Sequence, residues 1–290
     1  MKTFFVYLDI LGFKNLVNNN SGIQLQQIVD LIFACFDSAV DKSRTLDYGS
    51  VGEKYKLNLD KLNFRLLSDS IMIWSNEATF DACRNLLFAT EELLLQGIVQ
   101  GVPLRGTMTY GNILVKNDKN ATFLSNEAIY GKGLVEAYSL ESLFEWSGCI
   151  LTPSAWAALC KLWNSKFTND NSPNSYFYRY PHLVWYDVPL KDGKCKKGIA
   201  VNWNIDYFYD EDYRKTVQQD LTVQKIEASF AMFNKGNGSP EKVNNTIQFF
   251  EYTKNLWVHF KSQPQNKQNI PHPDDEYAKA RSQKYFSLDM

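Results

Sequence analysis

Residues 62–75 read LNFRLLSDSIMIWS. Two largely apolar runs, 62–67 and 70–75, are parted only by Ser68-Asp69. So short a connection joins antiparallel neighbours, and the segment predicts a β-hairpin. What flanks it decides the fold. Upstream, residues 3–11 (TFFVYLDIL) form a mostly apolar run ending at Gly12, a buried strand, and residues 22–41 set Leu25, Val29, Ile32, Phe36 and Val40 at helical spacing. Downstream, Phe80, Cys83, Leu87, Leu94 and Ile98 share one helical face within 78–98. Residues 103–115 (PLRGTMTYGNILV) read as a further strand, with Gly106 and Gly111 at bends or close backbone approaches. Strand, helix, hairpin, helix, strand is a split βαβ, ferredoxin-like order, and predicts an α/β (α+β) fold in which helices cover one face of a single sheet.

Further along, 133–145 reads as a helix and 148–152 as a short strand. Thr152-Pro153 then opens a helix with Thr as its cap. Residues 176–190 and 198–203 read as strands around a turn at Lys191–Lys197. Two amphipathic helices follow at 211–234 and 240–260, the second introduced by Ser239-Pro240-Glu241. The polar stretch 42–60 is a connection. These boundaries divide the chain into a core over 1–155, an extension over 156–262 that packs on the core or on a dimer interface, and a polar tail over 263–290.

The bulk composition excludes several classes. With 290 residues, 44% of them hydrophobic, the chain can bury a substantial core. A net charge of −1 gives no basic surplus for a nucleic-acid partner. Asp9 interrupts the N-terminal apolar run, no small-residue cleavage site follows, and no run reaches the roughly 18 apolar residues of a membrane helix, so neither a signal peptide nor a membrane segment is expected. The five cysteines (Cys35, Cys83, Cys149, Cys160, Cys195) form no CxxC pair, which argues for reduced thiols in the cytoplasm. His182, His259 and His272 lack ligand spacing and read as surface or packed residues. The aromatic cluster at 176–186 reads as packing material, and KDGKCKK and Asp274-Asp275-Glu276 as solvated segments.

Two carboxylates stand out. Asp9 shares a strand face with Phe5 and Tyr7, and a carboxylate in that setting is costly to bury without a partner. A magnesium or manganese ion would be one such partner; the alternative is an Asp that caps the following helix. Asp69 sits at the hairpin tip, where Asp is ordinary turn chemistry. If the two strand ends lie side by side, the pair can hold two metals that clamp attacking and leaving oxygens.

The segments LDILGFKNL, FRLLSDSIMIWS, VPLRGTMTYGNI and IYGKGLVEAYSLE resemble, in order and near spacing, the catalytic blocks of class III nucleotidyl cyclases, over roughly residues 4–155. The resemblance implies Asp9 and Asp69 as ligands of two divalent cations (Mn2+ or Mg2+), helped by the backbone carbonyl of Ile10. It implies a helix opened by Gly12 and Phe13 whose amides receive phosphate oxygens, and Arg105 as a triphosphate contact. It also implies a homodimer with active sites at the interface. Where purine cyclases carry a base-reading Lys and Asp, this chain has Arg65 and Ala128. Arginine is bulkier than lysine and offers donors only, which suits the carbonyl oxygens of a pyrimidine and favours UTP slightly over CTP. In this the chain is similar to the pyrimidine cyclases of bacterial Pycsar antiphage systems, whose cyclic UMP or cyclic CMP activates a separate effector protein. The rival expectations are a purine cyclase, or a degenerate domain that binds a nucleotide without turning it over. Val135 and Ser139 stand where the family places a transition-state Asn and Arg; Tyr138 and Lys132 are nearby substitutes.

Overall fold

A computed structural model describes residues 2–41, 62–118, 126–166, 182–209, 221–232 and 239–262. The connection at 42–60, the tail, most of 176–182 and the first part of the predicted helix at 211–234 lie outside the described residues.

The predicted hairpin forms. β2 (Leu62–Leu67) and β3 (Ser70–Ser75) pair antiparallel around Ser68-Asp69, from Leu62 opposite Ser75 to Leu67 opposite Ser70. β1 (Lys2–Ile10) lies between β3 and β4 (Leu104–Asn112), antiparallel to both. With β7 (Gly148–Leu151), β8 (Leu183–Pro189) and β9 (Cys195–Val201), the main sheet runs β2-β3-β1-β4-β7-β9-β8. Among the described residues, only the β4–β7 pairing is parallel. The chain is thus a mixed α/β fold on a mainly antiparallel sheet, whose first four strands have the ferredoxin-like order. β8 and β9 complete that sheet from beyond residue 156.

β1 builds the core because both of its faces are apolar. Phe4, Val6, Leu8 and Ile10 enter the larger cluster, together with Leu86, Leu93 and Leu94 of α3 (Phe80–Gln100). Thr79 caps α3 by accepting from the Ala82 amide, and Gly101, at φ 80, ends it. α2 (Gly22–Asp41) lies against α3, preceded by a separate short helix, α1 (Phe13–Asn19). Phe5 and Tyr7 point the other way and join Met72, Trp74, Ile113 and Ala137.

That second cluster corrects the expectation of helices on one face only. α4 (Lys132–Glu141) covers the opposite face. There Thr107 Oγ1 donates to the Ala137 carbonyl at 2.8 Å and Thr109 Oγ1 to the Glu136 carboxylate at 2.7 Å. The strand expected over 103–115 also ends early: Leu114–Asp118 (β5) folds back on Asn126–Tyr130 (β6) as a separate two-stranded ribbon.

After β7 come α5 (Pro153–Lys166), capped at Thr152 as expected, α6 (Ile205–Tyr209), α7 (Val223–Met232) and α8 (Pro240–Ser262). No helix among the described residues is long and apolar enough to cross a membrane. Cys83 and Cys149 are buried free thiols, Cys160 is half-buried and Cys195 exposed. His182 is a packed histidine, its Nδ1 3.0 Å from Glu91.

Candidate active site

The site lies where β1, β3 and β4 end together. Asp9 stands opposite Ser70 on β3 and Arg105 on β4, and directly opposed residues point to the same face, here the one α4 covers. The backbone closes this end tightly. The Ile10 amide donates to the Asp69 carbonyl at 2.9 Å and the Leu11 amide to the Pro103 carbonyl at 3.0 Å. A Cβ at Gly106 would fall 2.0 Å from the Tyr7 carbonyl, so glycine is what lets β4 approach β1 beside Arg105. Ser68 holds φ 58, a left-handed conformation usually left to glycine in a two-residue hairpin tip, and it turns Asp69 toward the end of β1.

Asp9 is only 21% exposed, and its carboxyl is pushed up to about 7. Burial is the largest cause and the negative charge of Glu141 the next; Arg105 opposes them, Asp69 adds to the rise, and Lys191 opposes it weakly. Arg105 is itself buried. Its Nε donates to Glu141, one terminal nitrogen donates to the Phe144 carbonyl at 2.6 Å, and the other is shared between Glu141 and a longer 3.4 Å contact to Asp9. Glu141, 3% exposed, is raised by burial and held down by Arg105. Tyr7, two residues before Asp9, shares a 2.6 Å hydrogen bond with the Ser70 hydroxyl, and burial raises its phenol.

The structure therefore brings Asp9, Ile10, Asp69 and Arg105 together. Arg65 lies on exposed surface of the edge strand β2 opposite Met72, one terminal nitrogen donating to the Phe64 carbonyl at 2.8 Å. Its rung continues through Met72 to Tyr7, so it shares their face at two strands' remove from Asp9. Phe13 opens α1, a helix of seven residues with a small dipole, so anion binding there would rest on local amides. Ala128 is exposed on β6, and its neighbour Ile129 packs on the Tyr7–Met72 cluster. Val135 and Ser139 are exposed on α4. Tyr138 meets Tyr7 edge-on at 5.8 Å, while Lys132 lies exposed at the far end of that helix.

Sequence reasoning missed Glu141 and Lys191. The signal for Glu141 was present: Gly133, Ala137 and Glu141 recur every fourth residue on the buried stripe of α4, and a carboxylate on such a stripe needs a partner. Lys191 gave no such signal, being one of four lysines in a solvated turn.

No group of three or more His, Cys, Asp or Glu side chains among the described residues is arranged to hold a metal ion. The donor chemistry nevertheless fits hard divalent cations. Asp9 and Asp69 are oxygen donors on adjoining strand ends, and the carboxyl groups of Asp9, Asp69 and Glu141 outnumber the cations Arg105 and Lys191 that act on them, around a half-desolvated Asp9.

No family model and no curated protein matches the chain. Among solved structures, it is similar to the guanylate cyclase domain of RhGC from Catenaria anguillulae at 10% identity, covering 69% of this chain and 96% of that one, with a TM-score of 0.42. It is similar to a bacterial light-regulated adenylyl cyclase at 13% identity, covering 80% and 57%, with a TM-score of 0.44. An adenylate cyclase from Trypanosoma brucei shares 13% identity over 69% of this chain and 88% of that one, with a TM-score of 0.39.

Proposed function

We propose that the chain is a nucleotidyl cyclase that converts UTP, with CTP as second substrate, to the 3′,5′-cyclic monophosphate and pyrophosphate. The observation that carries this is Asp9: a half-desolvated carboxylate at the end of an interior strand, hydrogen-bonded through the next residue to the hairpin tip that bears Asp69. The reaction is in-line attack of the ribose 3′-oxygen on the α-phosphorus. Two divalent cations, Mn2+ or Mg2+, would supply a lowered pKa at the 3′-oxygen and charge neutralisation on the triphosphate. Asp9, Asp69 and the Ile10 carbonyl would hold them; in extended geometry that carbonyl faces the same tip as the Ile10 amide. The amides at Gly12-Phe13 receive phosphate oxygens, and Arg105 balances charge beside them. Arg65 donates to the base, next to the surface left by Ala128.

The active unit is a homodimer. Val135 and Tyr138, 64% and 58% exposed on α4, are apolar surface beside the site that a second copy would cover. The cyclic product is a second messenger in cytoplasmic antiphage defence, read by a separate effector protein.

Incubation of the purified protein with each of the four triphosphates and Mn2+ tests the reading. Cyclic UMP is the expected main product. Cyclic AMP or cyclic GMP in its place refutes the pyrimidine assignment, and no cyclic product from any of the four refutes the enzyme. Asp69→Ala is expected to lose at least a thousandfold in turnover with an unchanged circular dichroism spectrum; retained turnover removes Asp69 from the site.

A further inference from the structure

The guanidinium of Arg105 stands directly opposite Asp9, yet its good hydrogen bonds go elsewhere. Nε and one terminal nitrogen are taken by Glu141, the other terminal nitrogen by the Phe144 carbonyl, and Asp9 receives only the 3.4 Å contact. A guanidinium and a carboxylate facing each other on adjacent strands would otherwise form a bidentate pair. Such a pair would occupy the oxygens that a cation needs. Glu141 is even more buried than Arg105 and comes from a different element, the last turn of α4; it holds Nε and the same terminal nitrogen that reaches toward Asp9, and so competes with Asp9 for it.

We infer that Glu141 is a positioning residue of the metal site: by holding Arg105 back, it keeps the Asp9 carboxylate open to a divalent cation. This deepens the function proposed above and rests on it. Removing the charge on Glu141 frees the guanidinium to close on Asp9, so Mn2+ must compete with an ion pair. A purely structural Glu141 would alter folding stability and leave metal affinity alone.

The test is calorimetric titration of the nucleotide-free, full-length protein with Mn2+. Glu141→Gln is expected to weaken binding about tenfold, the usual scale for residues that orient metal ligands. In an Arg105→Gln background the same change is expected to weaken it no more than about twofold, because the competing cation is gone. Wild-type affinity in a folded Glu141→Gln protein overturns the inference, and so does an equal loss in both backgrounds. If Glu141→Gln does not fold, Glu141→Asp takes its place: it keeps the charge but draws back the anchor, and about threefold weakening is expected, with wild-type affinity again overturning the inference. Wild-type protein that binds no Mn2+ overturns the metal site itself and this inference with it, whereas wild-type binding and turnover in folded Glu141→Gln overturns this inference alone.

Discussion

Replacing Asp9 with Asn should make the protein more stable and inactive. The carboxyl of Asp9 sits at about 7 in the folded chain, against about 3.9 in an unfolded one. The folded state therefore keeps a proton that the unfolded state gives up. Between about pH 4 and pH 7 each rise in pH costs stability, and above pH 7 the cost is constant. Roughly three pH units at 1.36 kcal/mol each sets that cost near 4 kcal/mol. Asparagine has nearly the same shape and no charge, so it removes the cost. The attraction of Arg105 for the charged carboxylate is already contained in that shift, and in the variant Arg105 keeps Glu141 and the Phe144 carbonyl. The gain at pH 8 is therefore about 4 kcal/mol, or about 7 °C in Tm for a chain of this size. Differential scanning calorimetry in EDTA at pH 4.5 and pH 8 measures it. The variant should melt within about 2 °C of the wild type at pH 4.5, where only about 1 kcal/mol of the cost is present, and clearly higher at pH 8, and saturating Mn2+ should close the gap at pH 8 by stabilising only the wild type. A Tm difference that does not change with pH, or a variant less stable at pH 8, refutes the claim that Asp9 is held against its charge.

Two further substitutions probe the supports of the site. Ser68→Val places a β-branched residue at φ 58 and should cost about 1–2 kcal/mol, whereas Ser68→Gly should cost nothing; urea denaturation of both separates backbone strain from loss of the hydroxyl. The segment that follows Glu141 is tied to α8, where the Ser147 amide donates to Thr246 Oγ1 at 2.8 Å and Asn245 Nδ2 donates to the Glu145 carbonyl at 2.7 Å. Thr246→Val leaves a buried amide unpaired and should lower stability by about 1–3 kcal/mol, read as a Tm drop of a few degrees, while exposed Asp192→Ala should leave Tm unchanged.

How far the sequence leads depends on whether a signal is local. The hairpin at 62–75, the cap at Thr152, the start of α8 at Pro240 and the order of strands and helices are set by neighbours in the chain, and they stand where periodicity and turn chemistry put them. The two-faced sheet was legible as well. Unbroken apolar character in TFFVYLDIL, with no polar alternation, means cover on both sides. Reading it as one-sided ignored Phe5 and Tyr7, which α4 buries. The β5–β6 ribbon was hidden because Ile113, Leu114 and Val115 carry strand-favouring residues straight through the corner after β4. At the site, Asp9 announced itself as a charge in an apolar strand, and Asp69 became meaningful only once Ile10 was bonded to its carbonyl.

Arg105 marks the limit of local reading. An arginine on the strand beside a carboxylate proposed to hold a metal invites a role on the triphosphate, and its residue type says no more than that. Its behaviour is set by Glu141, 36 residues away, and by the Phe144 carbonyl, which enters the site only because the next segment is pinned between the β8–β9 turn and α8. The Lys191 amide donates to the Leu143 carbonyl at 2.9 Å and the Glu145 amide to the Pro189 carbonyl at 3.0 Å, so the last two strands of the sheet grip both sides of Phe144. The charge state of Asp9 is therefore decided partly by residues after 156, and the C-terminal region belongs to the electrostatics of the site as much as the strand that carries the aspartate does.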